Sequence, residues 1–258
     1  MPAIAIASLL LAQSAAALPP LQQDRLKTCL AQARTDPATA IVTASGWLSE
    51  AAGPDRSLPQ QCLGTAYTSL LRWDAAESAF LAARTAALDS EPAAKARFAT
   101  MAGNAALAAG NYPAALSDFD LALADADTAQ DGELIGSVET DRARALVALG
   151  REDDAANALE RARESAPQNG TAWLLSATLA RRQDDLASAQ ALIETAGALL
   201  PADPAVGLEA GVIAALAGDD EAAAKSWQSV VDTAPNSPEA ATALGYLSQI
   251  GEAQVRGR

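Results

Sequence analysis

The chain has 258 residues, half of them hydrophobic in type but only 4% aromatic, so it can bury a sizeable core built mainly from small side chains. Its formal charge of −14 argues against nucleic acid and anionic lipid surfaces as partners, since both want Lys and Arg; it suits a basic partner or a solvated outer face. Histidine is absent, which removes the commonest general base and metal ligand, and two cysteines alone cannot build a thiolate metal site. No cofactor or metal is therefore expected, and an enzyme is disfavoured.

At the amino terminus, Ile4 to Ala12 form an apolar run too short to span a bilayer as a helix. Ala15-Ala16-Ala17 follows as a small-residue cleavage site, so residues 1–17 read as a secretory signal peptide. No Lys or Arg precedes the run, which keeps an apolar N-terminal helix or a different start codon open. An exported chain with two cysteines suggests a disulfide between Cys29 and Cys62; two buried thiols are the alternative.

From residue 57 onward the chain is periodic. Gly64, Gly103, Ala143, Ala177, Gly211 and Gly245 recur at steps of 39, 40, 34, 34 and 34 residues, each inside an apolar helical pattern. A turn follows each of these first helices, marked by Gly110, Gly150, Asp184-Asp185 and Gly218. The second helix carries Ala76, Ala115, Ala155, Ala189 and Ala223, and four residues later a bulky Phe80, Phe119, Leu159, Ile193 or Trp227. Small residues admit close helix approach and the bulky one fills the gap. Pro167, Pro201 and Pro235 close the last three full pairs.

Trp173, Gly211, Gly245, the alanine column and the closing prolines together make residues 57 to about 250 resemble the tetratricopeptide repeat family. The resemblance implies an all-α fold: a right-handed α-solenoid of stacked antiparallel helix pairs, with repeats near 21–56, 57–95, 96–135, 136–169, 170–203 and 204–237. A capping helix at 238–250 and a flexible tail at 251–258 complete it. The first repeat is degenerate, with Asp36-Pro37 opening its second helix. Extra residues near Asp89–Ala93 and Ala126–Leu134 predict longer helices or loops there.

In that family, partners often lie along the concave surface of the first helices. By register this surface carries Arg97, Asn104, Arg144 and Arg181 in its middle, suited to a peptide carboxylate or acidic side chains. Self-paired arginines are the alternative, Asp141 being close to Arg144. The lysines of the family's carboxylate-binding arrangement are missing. Towards the C-terminus the surface turns apolar, through Leu174, Leu208 and Val212, which suits either an apolar segment or burial against the cap. Asp153-Asp154, Asp184-Asp185 and Asp219-Asp220 recur at the turns and read as helix caps, not as catalytic pairs.

The expected function is a non-enzymatic adaptor of the bacterial envelope, periplasmic if the cell is Gram-negative, that binds a protein or peptide in its groove. A structural or assembly subunit, or a homodimer, using convex or end surfaces is the second expectation.

Overall fold

The computed structural model describes residues 20–256; the expected signal peptide, 1–17, lies outside the described residues. Short turns link successive α-helices: α1 (Pro20–Thr35), α2 (Pro37–Glu50), α3 (Ser57–Ser69), α4 (Trp73–Ala86), α5 (Pro92–Ala108), α6 (Tyr112–Ala129) and α7 (Gly132–Ala148). They continue as α8 (Glu152–Ser165), α9 (Gly170–Arg182), α10 (Leu186–Leu199), α11 (Pro204–Leu216), α12 (Asp220–Thr233) and α13 (Pro238–Arg256). Each helix packs on the next, and the pairs stack into an α-solenoid.

Local chemistry sets the helix ends. Asp36, Asn111, Asp131, Asn169, Asp185, Asp203 and Asp219 are N-caps whose side chains accept a backbone N–H from the first turn. Asp185 and Asp219 thus cap helices as expected, while Asp153 and Asp154 sit inside the first turn of α8. From α3 onward, where a first helix turns into its partner, the chain takes a left-handed residue; the α1/α2 turn at Asp36 (φ −145°) does not. Gly110, Gly150 and Gly218 occupy that position, but so do Leu71 (φ 56°) and Asp184 (φ 65°). The next amide then reaches back over the turn, as in Arg72 N–H to Tyr67 O and Asn111 N–H to Ala106 O.

The core runs between the two helix layers. The alanine column Ala76, Ala115, Ala155, Ala189 and Ala223 is wholly buried, and Phe80, Phe119, Leu159, Ile193 and Trp227 are buried with it. Phe80, Phe119 and Trp227 lie directly over Gly64, Gly103 and Gly211, leaving no room for a Cβ.

The extra residues are absorbed mostly as helix. Helices α5, α6 and α7 have 17, 18 and 17 residues, against 13 or 14 in α3, α4 and α8 to α12. At the far end α13 runs to Arg256, past Ile250, where the sequence reading ended the cap and began a flexible tail. Its segment 251–256 has neither proline nor a glycine beyond Gly251, so nothing in it breaks the helix.

Cys29 of α1 and Cys62 of α3 form a disulfide across neighbouring first helices, their Cα atoms 6.0 Å apart. It fastens a weakly anchored element: in α1 only Cys29 and Ala33 are fully buried.

Candidate functional site

The first helices line one face of the solenoid. They pack along one another at α1/α3, α5/α7, α7/α9, α9/α11 and α11/α13, while α3 and α5 both pack on α4, with Tyr67 of α3 against the cluster that holds Ala102 and Ala105 of α5. A groove opens beside them. Two clefts that share Gln61 and Met101 occupy it, one of about 430 Å³ and one of about 220 Å³. Leu26, Leu30 and Arg34 of α1 form one wall, and Arg97, Met101 and Asn104 of α5 the other. Gln61, Thr65 and Thr68 of α3 run along the floor.

The floor is polar by composition but partly self-satisfied. Thr65 donates its hydroxyl proton to Gln61 O at 3.0 Å and Thr68 to Gly64 O at 2.9 Å, so both point their hydrogens into their own helix. Elsewhere on α5, outside the lining of either cleft, Thr100 does the same, to Ala96 O at 2.8 Å.

The structure joins two of the four polar residues that the sequence placed in one row, Asn104 and Arg144, through a shared carboxylate, and gives Arg97 and Arg181 other partners. Arg97 is exposed and only 3.8 Å from Asp131, too far for a hydrogen bond. Asn104 donates to Asp141 Oδ2 at 2.9 Å, and Arg144 donates to Asp141 Oδ1 at 2.5 Å, so one carboxylate of α7 holds both. Arg181 grips Glu209 of α11 with two contacts, 2.6 and 3.4 Å. Asn104 and Arg97 therefore belong to the groove, whereas Arg144 and Arg181 lie farther along the array, each tied to an acidic neighbour. Arg144 also lines a separate cleft of about 250 Å³ between α7 and α9, with Val147, Leu175 and Thr178.

The apolar set is half-buried. Leu174 packs against the α9–α11 core, and Leu208 and Val212 pack against a cluster shared with α12 and α13. Thr140, one helical turn before Arg144 on α7, is buried: its hydroxyl donates to Gly136 O and accepts from Asn169 Nδ2. Sequence reasoning missed Arg34, Leu26, Leu30 and Met101. Their register along α1 and α5 was readable, but α1 belongs to the degenerate repeat, where no column could be aligned.

Among the described residues no group of three or more His, Cys, Asp and Glu side chains could hold a metal ion. No helix among them is long and apolar enough to cross a membrane.

Stacked helix pairs of this size, with a small-to-bulky contact in each and a groove along one layer, define a helical-repeat protein. Residues 140–204 match the tetratricopeptide repeat family model, and the helix pairs on either side of that stretch repeat its architecture. No curated protein matches it. Among solved structures it is similar to PilW, a widely conserved type IV pilus biogenesis factor, with 19% identity and a TM-score of 0.69 over 88% of this chain and 99% of that one. It is also similar to PilF of Pseudomonas aeruginosa, with 15% identity and a TM-score of 0.67 over 90% and 97% of the two chains. A third is YrrB, a repeat protein with an unusual peptide-binding site, with 20% identity and a TM-score of 0.52 over 78% and 97%.

Proposed function

We propose that this chain is a non-enzymatic adaptor of the bacterial cell envelope that holds a segment of a partner protein in the groove between α1, α3 and α5. The observation that carries this reading is the pair of adjoining clefts between α1, α3 and α5, which share Gln61 and Met101 and are lined by leucine, methionine, arginine and amide side chains. A leader-like N-terminus and a disulfide favour an exported site of action. The likeness to PilW, a pilus biogenesis factor, agrees with an envelope role.

A second reading has one specific observation behind it. The second-helix side carries its own cleft of about 480 Å³ between α10 and α12, where Glu194, Lys225 and Ser226 line the opening. In this reading the chain is itself a structural or assembly subunit of an envelope complex, or a homodimer, that binds through that face.

A photo-crosslinking amino acid placed at Met101 in one strain and at Lys225 in another separates the two. A dominant adduct from Met101 alone supports the groove. An adduct from Lys225 alone moves the site to the other face, and one at twice the chain's own mass identifies a homodimer.

A further inference from the structure

Helix α13 repeats the register of α11. Pro238, Gly245 and Ile250 stand where Pro204, Gly211 and Leu216 stand one period earlier, so α13 is a first helix, and among the described residues no second helix follows it. In the other repeats with glycine at this position, the second helix lays a ring on it: Phe80 on Gly64, Phe119 on Gly103 and Trp227 on Gly211. At Gly245 a Cβ would meet nothing within 4 Å, and beside it Leu244 is 53% exposed. The opposite side of α13 is firmly seated. Ala240 and Ala243 are buried in one cluster with Trp227 and Val230, and the Tyr246 ring lies 4.9 Å from that of Trp227.

The outward face has the chemistry of a buried one. From Ala240 to Gly251 the helix has no charged residue, in a chain of net charge −14. Thr242 donates its hydroxyl proton to Pro238 O at 3.1 Å and Ser248 donates to Gly245 O at 2.8 Å, so a helix laid over them strands no donor. A charged partner finds nothing to grip here. A second copy of this acidic chain, in contrast, can approach along α13 without carboxylates opposed at the contact.

The face also complements itself. When two copies of α13 run antiparallel about an axis between Leu244 and Gly245, each Leu244 falls on the partner's Gly245, and each Ala241 opposes the partner's Ser248. We propose that α13 pairs in this way with α13 of a second copy, joining two solenoids end to end as a twofold dimer. Leu244 takes the place of the ring that a second helix brings to the other glycines. The contact is small. The stretch Ala240 to Gly251 is about 18 Å of helix, a narrower contact than the roughly 800 Å² per partner of a standard interface. The dimer is therefore weak: monomer at about 1 µM, and dimer from about 100 µM upward. No residue of α13 lines the α1/α3/α5 clefts or the α10/α12 cleft, so this pairing stands or falls separately from the groove reading.

The test is sedimentation velocity of the full chain from about 1 to about 500 µM, beside Gly245→Glu and Gly245→Lys variants. The space over Gly245 accommodates either side chain, and thermal unfolding at the lowest concentration checks that both variants are folded. The expected result is a rise towards twice the chain mass in the parent and an association weaker by about tenfold or more in each variant alone. An equimolar mixture of the two variants is expected to regain the dimer, because the twofold axis brings the two positions 245 together. A parent that stays monomeric throughout overturns the proposal. So does a dimer that both variants retain, which would place the contact on another surface, or a mixture no more associated than its components.

Discussion

Gly211 lies beneath the indole of Trp227, whose Nε1 donates to Leu208 O at 3.1 Å, and a methyl group added at Gly211 would fall inside the ring. The ring is pinned by that hydrogen bond and by burial, so it cannot simply swing aside. Gly211→Ala is expected to destabilise by about 1–3 kcal/mol through overpacking, despite the better helix propensity of alanine. Gly245 holds the same register position in α13, yet a Cβ there meets nothing within 4 Å. Gly245→Ala is therefore expected to stabilise, by about 0.5–1 kcal/mol. Opposite shifts in thermal midpoint would confirm the pair. A loss of stability at Gly245 would mean that α13 carries a contact on that face.

The disulfide prediction concerns the groove wall. Cys29 lies on α1 between Leu26 and Arg34, and Cys62 lies buried in α3 beneath the floor, next in the chain to Gln61. The bond closes a sequence separation of 33 residues, for which chain entropy gives about 3–4 kcal/mol. Because α1 buries little else, that loss should be local. Double substitution to alanine, or a dithiol reductant, is expected to raise amide exchange across α1 and leave α7 to α12 protected. Uniform loss of protection would show that the first repeat is bound up with the whole array.

Asp118 makes the sharpest pH prediction. It is 4% exposed, and its Oδ2 has no hydrogen-bond partner. Burial, and then the charge of Glu77, pushes its carboxyl up to about 6, with Arg84 opposing. A raised carboxyl pKa means that the folded chain binds a proton between about pH 4 and 6 that the unfolded chain does not. This group's contribution to stability therefore falls as pH rises through that window and stays low above it. Asp118→Asn is expected to be more stable than the parent at pH 7, by about 1–2 kcal/mol, with the advantage shrinking below pH 5. Urea midpoints at pH 4.5 and 7 measure it. A parent no less stable than the variant at pH 7 would show that Asp118 is solvated or paired.

The repeat was legible because one period fixes burial. Ala155 and Leu159, four residues apart on α8, could face only the first-helix layer. The caps at Asp185 and Asp219 were legible for a similar reason, being local chemistry at a helix start. The groove was less so. The 39-residue step after Gly64 announced extra residues, but how closely α3 and α5 approach depends on how α4 carries the chain across. Apart from the Cys29–Cys62 disulfide, contacts between repeats were illegible: Asn104 meets Asp141 across 37 residues because of the superhelical turn between α5 and α7, which no local pattern encodes. Asp118, one residue before the buried Phe119, gave no sign of being buried itself.

Arg181 and Glu209 provide the last prediction, because they decide whether the C-terminal arginine recognises a ligand or joins repeats. Their side chains retain 23% and 13% exposure, and the guanidinium reaches both carboxylate oxygens between α9 and α11. A pair this sheltered and nearly bidentate is expected to couple by about 1 kcal/mol in a double-mutant cycle with Arg181→Ala and Glu209→Ala, towards the top of the range for partly exposed pairs. Each single variant should lower the thermal midpoint, and the double variant should lower it by less than their sum. Partner capture, by contrast, should be unchanged in Arg181→Ala, since the guanidinium is already occupied. Loss of capture with no coupling to Glu209 would return Arg181 to the binding surface and extend the site along the whole first-helix row.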